Sequence, residues 1–112
     1  MLGYDAHVHQ IRPGVREHDL RRIGDVAYEE RTSYLGTLTS HRVAYVPYRT
    51  WVDKLLSASE DGRALLLHDG GYPYVFHARG EEIKANFSTT GVSGIATLSD
   101  DTWYLVEAWD QS

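Results

Sequence analysis

The second half of the chain is built from short β-prone runs separated by turn residues, and this alternation constrains the fold more than any other feature. Clusters of Gly, Asp, Ser and Thr interrupt the runs, as in Asp69-Gly70-Gly71 and Ser99-Asp100-Asp101. Strands joined by such short connections pair with their neighbours in antiparallel fashion. The sequence therefore predicts a C-terminal meander of about five strands. The predicted strands span residues 63–68, 74–79, 82–87, 92–98 and 102–109.

The first half mixes both kinds of element. Residues 4–11 alternate in polarity and predict a strand that ends before Pro13-Gly14. Residues 19–31 predict a helix with Asp19 as its cap, although Gly24 interrupts the pattern. Residues 34–39 and 42–46 are rich in Tyr, Val and Thr and predict strands.

A helix is also predicted over residues 47–60, because its apolar residues recur at helical spacing. That face consists of Tyr48, Trp51, Val52, Leu55 and Leu56. One or two helices packed against an antiparallel β-sheet make an α+β fold, and 112 residues fit a single domain over positions 1–112.

The predicted last strand is apolar at both parities of its alternation. Trp103, Leu105 and Trp109 would lie on one face, and Tyr104 and Val106 on the other. Such a strand is either central in the sheet or buried in an interface with a second copy, so a homodimer is one expectation.

Composition excludes several classes of chemistry and location. The chain has no cysteine, which excludes disulfides, thiolate metal sites and cysteine nucleophiles. Its uninterrupted apolar runs, such as residues 64–67, are at most four residues long, so no membrane association is expected. With no recognisable secretory signal, we expect a cytoplasmic protein.

Charge is unevenly distributed along the chain. The net charge is −5, made up of +1 for residues 1–56 (8 Lys/Arg, 7 Asp/Glu) and −6 for residues 57–112 (3 Lys/Arg, 9 Asp/Glu). Phosphate contacts need clustered Lys and Arg, so no direct contact with nucleic acid is expected. The acidic half instead favours a protein partner with a basic surface.

Acidic and aromatic residues supply a candidate partner-binding surface. Two predicted turns that a meander would bring to one end of the sheet carry the acids, and aromatic residues with a charged rim are typical of protein interfaces. The candidate residues are Glu81, Glu82, Asp100, Asp101, Tyr72, Tyr74, Trp103 and Trp109. The alternative is that both tryptophans belong to the core and the acids are merely solvated.

Asp5, His7 and His9 share one face of the first predicted strand and are the candidate metal ligands. This Asp-x-His-x-His pattern resembles the first barrel strand of amidohydrolase-type metalloenzymes. Those enzymes need a (β/α)₈ barrel of roughly 250 residues, so membership is rejected on length. An independent site for a divalent metal such as zinc, with His68 or His77 as a further ligand, remains an alternative to a solvated strand face.

No pattern for a catalytic nucleophile or a phosphate-binding loop is present. The leading hypothesis is therefore a non-enzymatic inhibitor without a cofactor, which occludes a functional surface of its partner. Bacterial immunity proteins, antitoxins and phage anti-CRISPR proteins have this character. The alternative is a small metal-dependent hydrolase or metal-binding protein that uses Asp5, His7 and His9.

Overall fold

A computed structural model describes residues 3–69 and 73–110 of the protein, without the side chains of Tyr48 and Arg49. The strands are β1 Tyr4–Ile11, β2 Thr39–Thr50, β3 Ala64–His68, β4 Tyr74–Arg79 and β5 Trp103–Asp110. The helices are α1 Glu17–Arg21, α2 Tyr28–Leu38, α3 Asp53–Glu60, α4 Gly80–Phe87 and α5 Ser93–Ala96, with a 3₁₀ turn at Arg22–Asp25.

The five strands form one antiparallel sheet in the order β2-β1-β5-β4-β3. The predicted α+β fold is confirmed, but the prediction that the strands form a C-terminal meander is wrong about their positions in the chain. They are spread through the chain, and only β3 and β4 follow one another as a hairpin. The last strand returns to pair with both β4 and β1.

The last strand is central in the sheet, which is one of the two placements that its double-sided apolar pattern predicts. Val106 and Ala108 are fully buried on one face, where they lie opposite Val8 and Ala6 of β1. Leu105 is fully buried on the other face. Both faces of β5 are therefore covered within the chain over this stretch, which explains why polar residues are scarce there.

The main core lies between one face of the sheet and helices α3, α4 and α5. Val8, Val46 and Phe76 from the sheet pack with Leu55 and Ile83 from the helices, and all five are almost inaccessible to solvent. Burial of apolar surface on this face, at about 25 cal/mol per Å², is the main force that holds the layers together.

A smaller core covers part of the opposite face, beneath α1, the 3₁₀ turn and α2. Its buried members are Leu20, Ile23, Leu35, Leu38, Leu67, Val75 and Leu105. Beyond Leu105 the same face carries polar residues of β1 and β5, among them His7 and Glu107. The fold thus leaves a polar area on one end of an otherwise covered sheet.

Two predicted strands are helices. Residues 82–87 belong to α4, where Ile83 and Phe87 are buried and Ala85 is exposed. Residues 92–98 contain α5, in which Ile95 is buried; Leu98, two residues after the helix, is buried as well. Ile83 and Phe87 are four residues apart, and this spacing puts two side chains on one face of either a helix or a strand. Ile95 and Leu98 are three residues apart, which suits a helix. Alternation over six residues therefore did not discriminate between a helix and a strand.

Three predictions in the first half also need correction. Residues 34–39 lie mostly in α2 rather than in a strand, with Leu35 and Leu38 on its buried side. The predicted helix over 47–60 begins only at Asp53, because residues 47–50 continue β2, where Thr50 pairs with Tyr4. The strand predicted at 42–46 is part of the same long β2.

The helix predicted over 19–31 is divided into α1, the 3₁₀ turn and the start of α2. Asp19 does not occupy the predicted cap position. It is the third helical residue of α1, and its side chain accepts a hydrogen bond of 3.0 Å from the backbone N–H of Arg16. This is the reciprocal half of a capping box, which still stabilises the start of the helix.

Across residues 3–69 and 73–110, no helix is both long and apolar enough to cross a bilayer.

Candidate functional site

The start of α4 and the loop after α5 meet at one end of the sheet. The backbone N–H of Gly80 donates to Thr102 (2.9 Å), and that of Glu81 donates to Asp100 (3.2 Å). A Cβ atom at Gly80 would lie 2.0 Å from the carbonyl oxygen of Ser99, so this approach requires glycine. Glu81, Glu82, Asp100 and Asp101 are therefore held together at this end.

Most of these carboxylates are engaged in ion pairs. Arg63 contacts Glu82 at 2.6 Å and Asp61 at 2.9 Å, and the side chain of Glu82 is only 12% exposed. Arg79 pairs with Glu81 at 3.0 Å, and Lys84 pairs with Asp100. Because solvent screens exposed pairs of this kind, they add little to stability.

We call this region the acidic end: Asp61, Glu81, Glu82, Asp100, Asp101, the cations Arg63, Arg79 and Lys84, and Trp103. Five carboxylates face three cations, which leaves an excess of two negative charges. These cations are all the Lys and Arg residues of positions 57–112. Asp101 is exposed and belongs to no ion pair in the described part of the chain.

Trp103 stands at the acidic end and is 40% exposed. Its ring lies 4.6 Å from the ring of His77, and the guanidinium of Arg79 lies 5.8 Å from its centroid. The alternative that Trp103 belongs to the core is therefore wrong. Burial lowers the pKa of His77, so a neutral imidazole supports the indole at neutral pH.

The other aromatic candidates are distant from the acids. Tyr74 pairs with Ala108 near the opposite end of β5 and packs against Tyr4. Trp109 is half-buried and lies six residues along β5 from Trp103, which is about 20 Å in a strand. Tyr72 lies outside the described residues. The predicted partner-binding set is thus divided between two ends of the sheet.

A second polar cluster occupies the uncovered area of the sheet. Asp5, His7 and His9 share this face, as the alternation predicted, and His7 pairs with Tyr45 on β2 and with Glu107 on β5. We call this region the polar patch; it consists of Asp5, His7, His9, Arg42, Tyr45, Glu107 and Trp109.

His9 and Glu107 form the shortest contact in the polar patch. His9 Nε2 lies 2.5 Å from Glu107 Oε1, and the two side chains are 16% and 13% exposed. The indole N–H of Trp109 donates to the other carboxylate oxygen at 3.1 Å. Burial alone would raise the pKa of Glu107, but the contacts with His9 and Trp109 outweigh it and hold that pKa below its usual range.

His7 is held by a cation. Its Nδ1 lies 3.1 Å from an NH group of Arg42, and its ring lies 5.0 Å from the ring of Tyr45. Burial, chiefly, lowers the pKa of His7, and Arg42 and His9 act in the same direction. The hydroxyl of Tyr45 donates to Asp5 at 3.2 Å. All three residues predicted as metal ligands are therefore engaged with side chains.

The geometry gives no support to the metal-site hypothesis. Among residues 3–69 and 73–110, no three His, Asp or Glu side chains are placed to hold a metal ion together. His68 Nδ1 lies 2.8 Å from the carbonyl oxygen of Pro73, and His77 lies beside Trp103. Neither histidine reaches His7 and His9 as a further ligand.

Three members of the polar patch were not predicted from the sequence: Arg42, Tyr45 and Glu107. Glu107 is the only charged residue within the apolar run 103–109, and this isolation was the available signal. Arg42 and Tyr45 gave no comparable signal, because the register of β2 against β1 contains bulges that a single sequence does not reveal.

The chain matches no known protein family, and no curated protein or solved structure shows significant similarity to it. The acidic end and the polar patch are therefore the features from which a function can be inferred.

Proposed function

We propose that this protein is a binding domain that inhibits its partner by occluding a basic functional surface. The single observation that carries the proposal is the acidic end, where an excess of carboxylates and the 40% exposed indole of Trp103 lie at the same end of the sheet. Tryptophan is enriched among the residues that contribute most of the binding energy at protein interfaces, and such residues are usually surrounded by a polar rim.

The internal ion pairs of the acidic end support a rigid surface. Arg63, which lies between α3 and β3, pairs with Glu82 of α4, and Lys84 of α4 pairs with Asp100 in the loop before β5. Because these side chains are already ordered, they lose less conformational entropy when a partner binds. The excess negative charge then guides a basic surface toward Trp103, which adds mainly to the association rate.

The mode of action in this proposal is steric. The domain needs no cofactor, since the surface works by shape and charge alone, and its partner would be a nuclease or another protein whose basic groove contacts nucleic acid. Immunity proteins, antitoxins and anti-CRISPR proteins are the functional class that this mechanism fits, and such partners would place the domain in the cytoplasm.

A pair of charge-reversal variants tests the proposal. The double variant E81K/D101K alters the acidic end, whereas D25K/E30K reverses two exposed acids near the start of α2. Both variants have a net charge of −1 instead of −5, so any difference between them reflects position rather than total charge.

Each protein is immobilised and exposed to a lysate of the source cells, and captured proteins are identified by mass spectrometry. We expect a basic protein that wild type and D25K/E30K retain and that E81K/D101K loses. Its affinity should also fall as ionic strength rises. Capture that is identical for the two variants, or an affinity that salt leaves unchanged, would remove the acidic end from the proposal.

A further inference from the structure

The polar patch contains a histidine whose tautomer is fixed by a carboxylate. The pKa of Glu107 is held low, so at neutral pH its oxygens only accept hydrogen bonds. A neutral His9 must then donate from Nε2 across the 2.5 Å contact, which leaves the lone pair on Nδ1. The indole N–H of Trp109 donates to the second carboxylate oxygen of Glu107. A chain of hydrogen bonds therefore joins the base, His9, to the carboxylate that orients it and to Trp109.

His7 has the opposite tautomer. A guanidinium can only donate, so His7 Nδ1 accepts from Arg42 and the ring proton is on Nε2. The rings of His7 and His9 are nearly parallel, with centroids 6.2 Å apart. One strand face thus offers an imidazole that can take a proton next to an imidazole that can donate a hydrogen bond.

Arg42 adds a positive charge beside this pair. It is exposed, it lies over the ring of Tyr45, and it carries more N–H groups than the one that His7 uses. Guanidinium groups bind phosphate oxygens through two parallel hydrogen bonds. The half-buried Trp109 and the exposed Tyr45 give the patch aromatic surface on which a base can stack.

The only hydroxyl of the polar patch belongs to Tyr45, and it is not a suitable nucleophile. It donates to Asp5, and burial together with Asp5 raises its pKa. A reaction that uses the base of this patch therefore takes its nucleophile from water or from the substrate, and RNA has such a nucleophile in its ribose 2′-hydroxyl.

We infer that the polar patch is an acid–base site that cleaves single-stranded RNA, with His9 as the general base and the ribose 2′-hydroxyl as the nucleophile. The 2′-hydroxyl attacks the adjacent phosphorus and gives its proton to His9 Nδ1. The O2′–P bond forms and the P–O5′ bond breaks. The 5′-oxygen leaves on the opposite side of phosphorus and takes a proton from solvent water, and His9 returns its proton to solvent, so the products are a 2′,3′-cyclic phosphate and a 5′-hydroxyl, and no co-reactant is consumed.

His7 and Arg42 stabilise the charge that develops on the phosphoryl oxygens in this reaction. The expectation of no nucleic-acid partner rested on the absence of a broad basic surface, but a single scissile phosphate needs only one or two cations. With a net charge of −5, the protein repels RNA over long range, so association is slow, and turnover is best measured at about physiological ionic strength, where salt screens this repulsion.

The test uses a fluorescent DNA oligonucleotide that contains one ribonucleotide, with the all-DNA oligonucleotide beside it. We expect wild type to cleave only the first and to leave a 2′,3′-cyclic phosphate. H9Q should be at least about 100-fold slower, since general acid–base groups contribute about 10²–10⁴-fold. E107Q keeps the shape of the dyad and should be at least about tenfold slower, because the carboxylate fixes the tautomer.

H41Q is the matched control, because His41 is an exposed histidine on the same sheet that contacts only Ser40 among described side chains. It should cleave at the wild-type rate. E81K/D101K should also cleave at the wild-type rate, because it alters only the acidic end, so loss of partner binding and loss of RNA cleavage can be told apart. Circular dichroism melts confirm that each variant is folded. The inference is overturned if wild type and H9Q cleave at the same rate, either because both are inactive or because a contaminating nuclease acts in both. It is also overturned if the all-DNA oligonucleotide is cleaved as fast as the one with the ribonucleotide.

Discussion

The contact between Gly80 and Ser99 determines whether the acidic end exists as described, and a Gly→Ala substitution tests it. In Gly80→Ala the new Cβ atom would lie 2.0 Å from the Ser99 carbonyl oxygen, whereas such contacts are essentially never below 3.0 Å. The start of α4 must therefore move away from residue 99 by about 1 Å, a backbone shift of the kind that overpacking causes.

The cost of this movement can be estimated from the bonds involved. The hydrogen bonds from Gly80 to Thr102 and from Glu81 to Asp100 are weakened, each contributing about 0.5–1.5 kcal/mol. Overpacking adds about 1–3 kcal/mol, so the free energy of unfolding should fall by about 2–6 kcal/mol.

Gly36→Ala is the matched control. Gly36 lies inside α2, and no atom is within 4 Å of its added Cβ. Alanine is the better helix former, so this variant should be about 0.5–1 kcal/mol more stable than wild type. Urea unfolding followed by circular dichroism measures both variants. If Gly80→Ala unfolds within about 0.5 kcal/mol of wild type, the close approach described at residue 99 is wrong.

Three further predictions concern α4 and the titrating groups. Ile83→Ala should cost about 2–5 kcal/mol and Ala85→Glu less than about 0.5 kcal/mol in urea unfolding, whereas a strand at 82–87 would make both costly. Burial lowers the folded-state pKa of His7 and His77 below the unfolded value of about 6.5, so the free energy of unfolding should fall as pH decreases through 6.5. His7→Gln or His77→Gln should reduce that fall. A free energy of unfolding that depends on pH as steeply as in wild type would contradict this prediction. The pKa of Glu107 is depressed, so its contribution is present above about pH 4.3 and is lost as pH falls through the folded-state value; acid titration of Glu107→Gln should show a shallower loss than wild type.

Strands were predictable where polarity alternated over a long enough run or where β-branched residues dominated. The first strand, Tyr4–Ile11, and the strand Tyr74–Arg79 match their predicted bounds, and the central position of β5 is one of the two placements predicted from its two apolar faces. In these segments the local pattern and the tertiary environment agree.

The missed helices are short segments in which both periodicities fit the same residues. Ile83 and Phe87 lie four apart, a spacing that suits either element, and what selects the helix is tertiary packing of α4 against α3 and β4. In α5, Gly94 lies so near Val43 that a Cβ atom there would be 2.8 Å from its carbonyl oxygen. A contact over about 50 residues of sequence leaves no local signal.

The candidate sites show the same division. Alternation placed Asp5, His7 and His9 on one face, but their partners come from β2 and β5, which are distant in sequence. Only the register of those strands brings Arg42 and Glu107 to the two histidines. A single sequence contains ligand types and spacing, and it does not contain the register across a bulged strand pair.

Two tryptophans of similar exposure allow the most direct test of the proposed inhibitory surface. Trp103 (40% exposed) lies at the acidic end, and Trp51 (44% exposed) lies near Tyr4 at the other end of the sheet. The measurement is the dissociation constant of the captured partner for Trp103→Ala and Trp51→Ala by calorimetry. We expect Trp103→Ala to bind about 30-fold more weakly, as for an interface anchor worth about 2 kcal/mol, and Trp51→Ala to bind like wild type. Equal affinities for the two variants, or a loss confined to Trp51→Ala, would contradict the account.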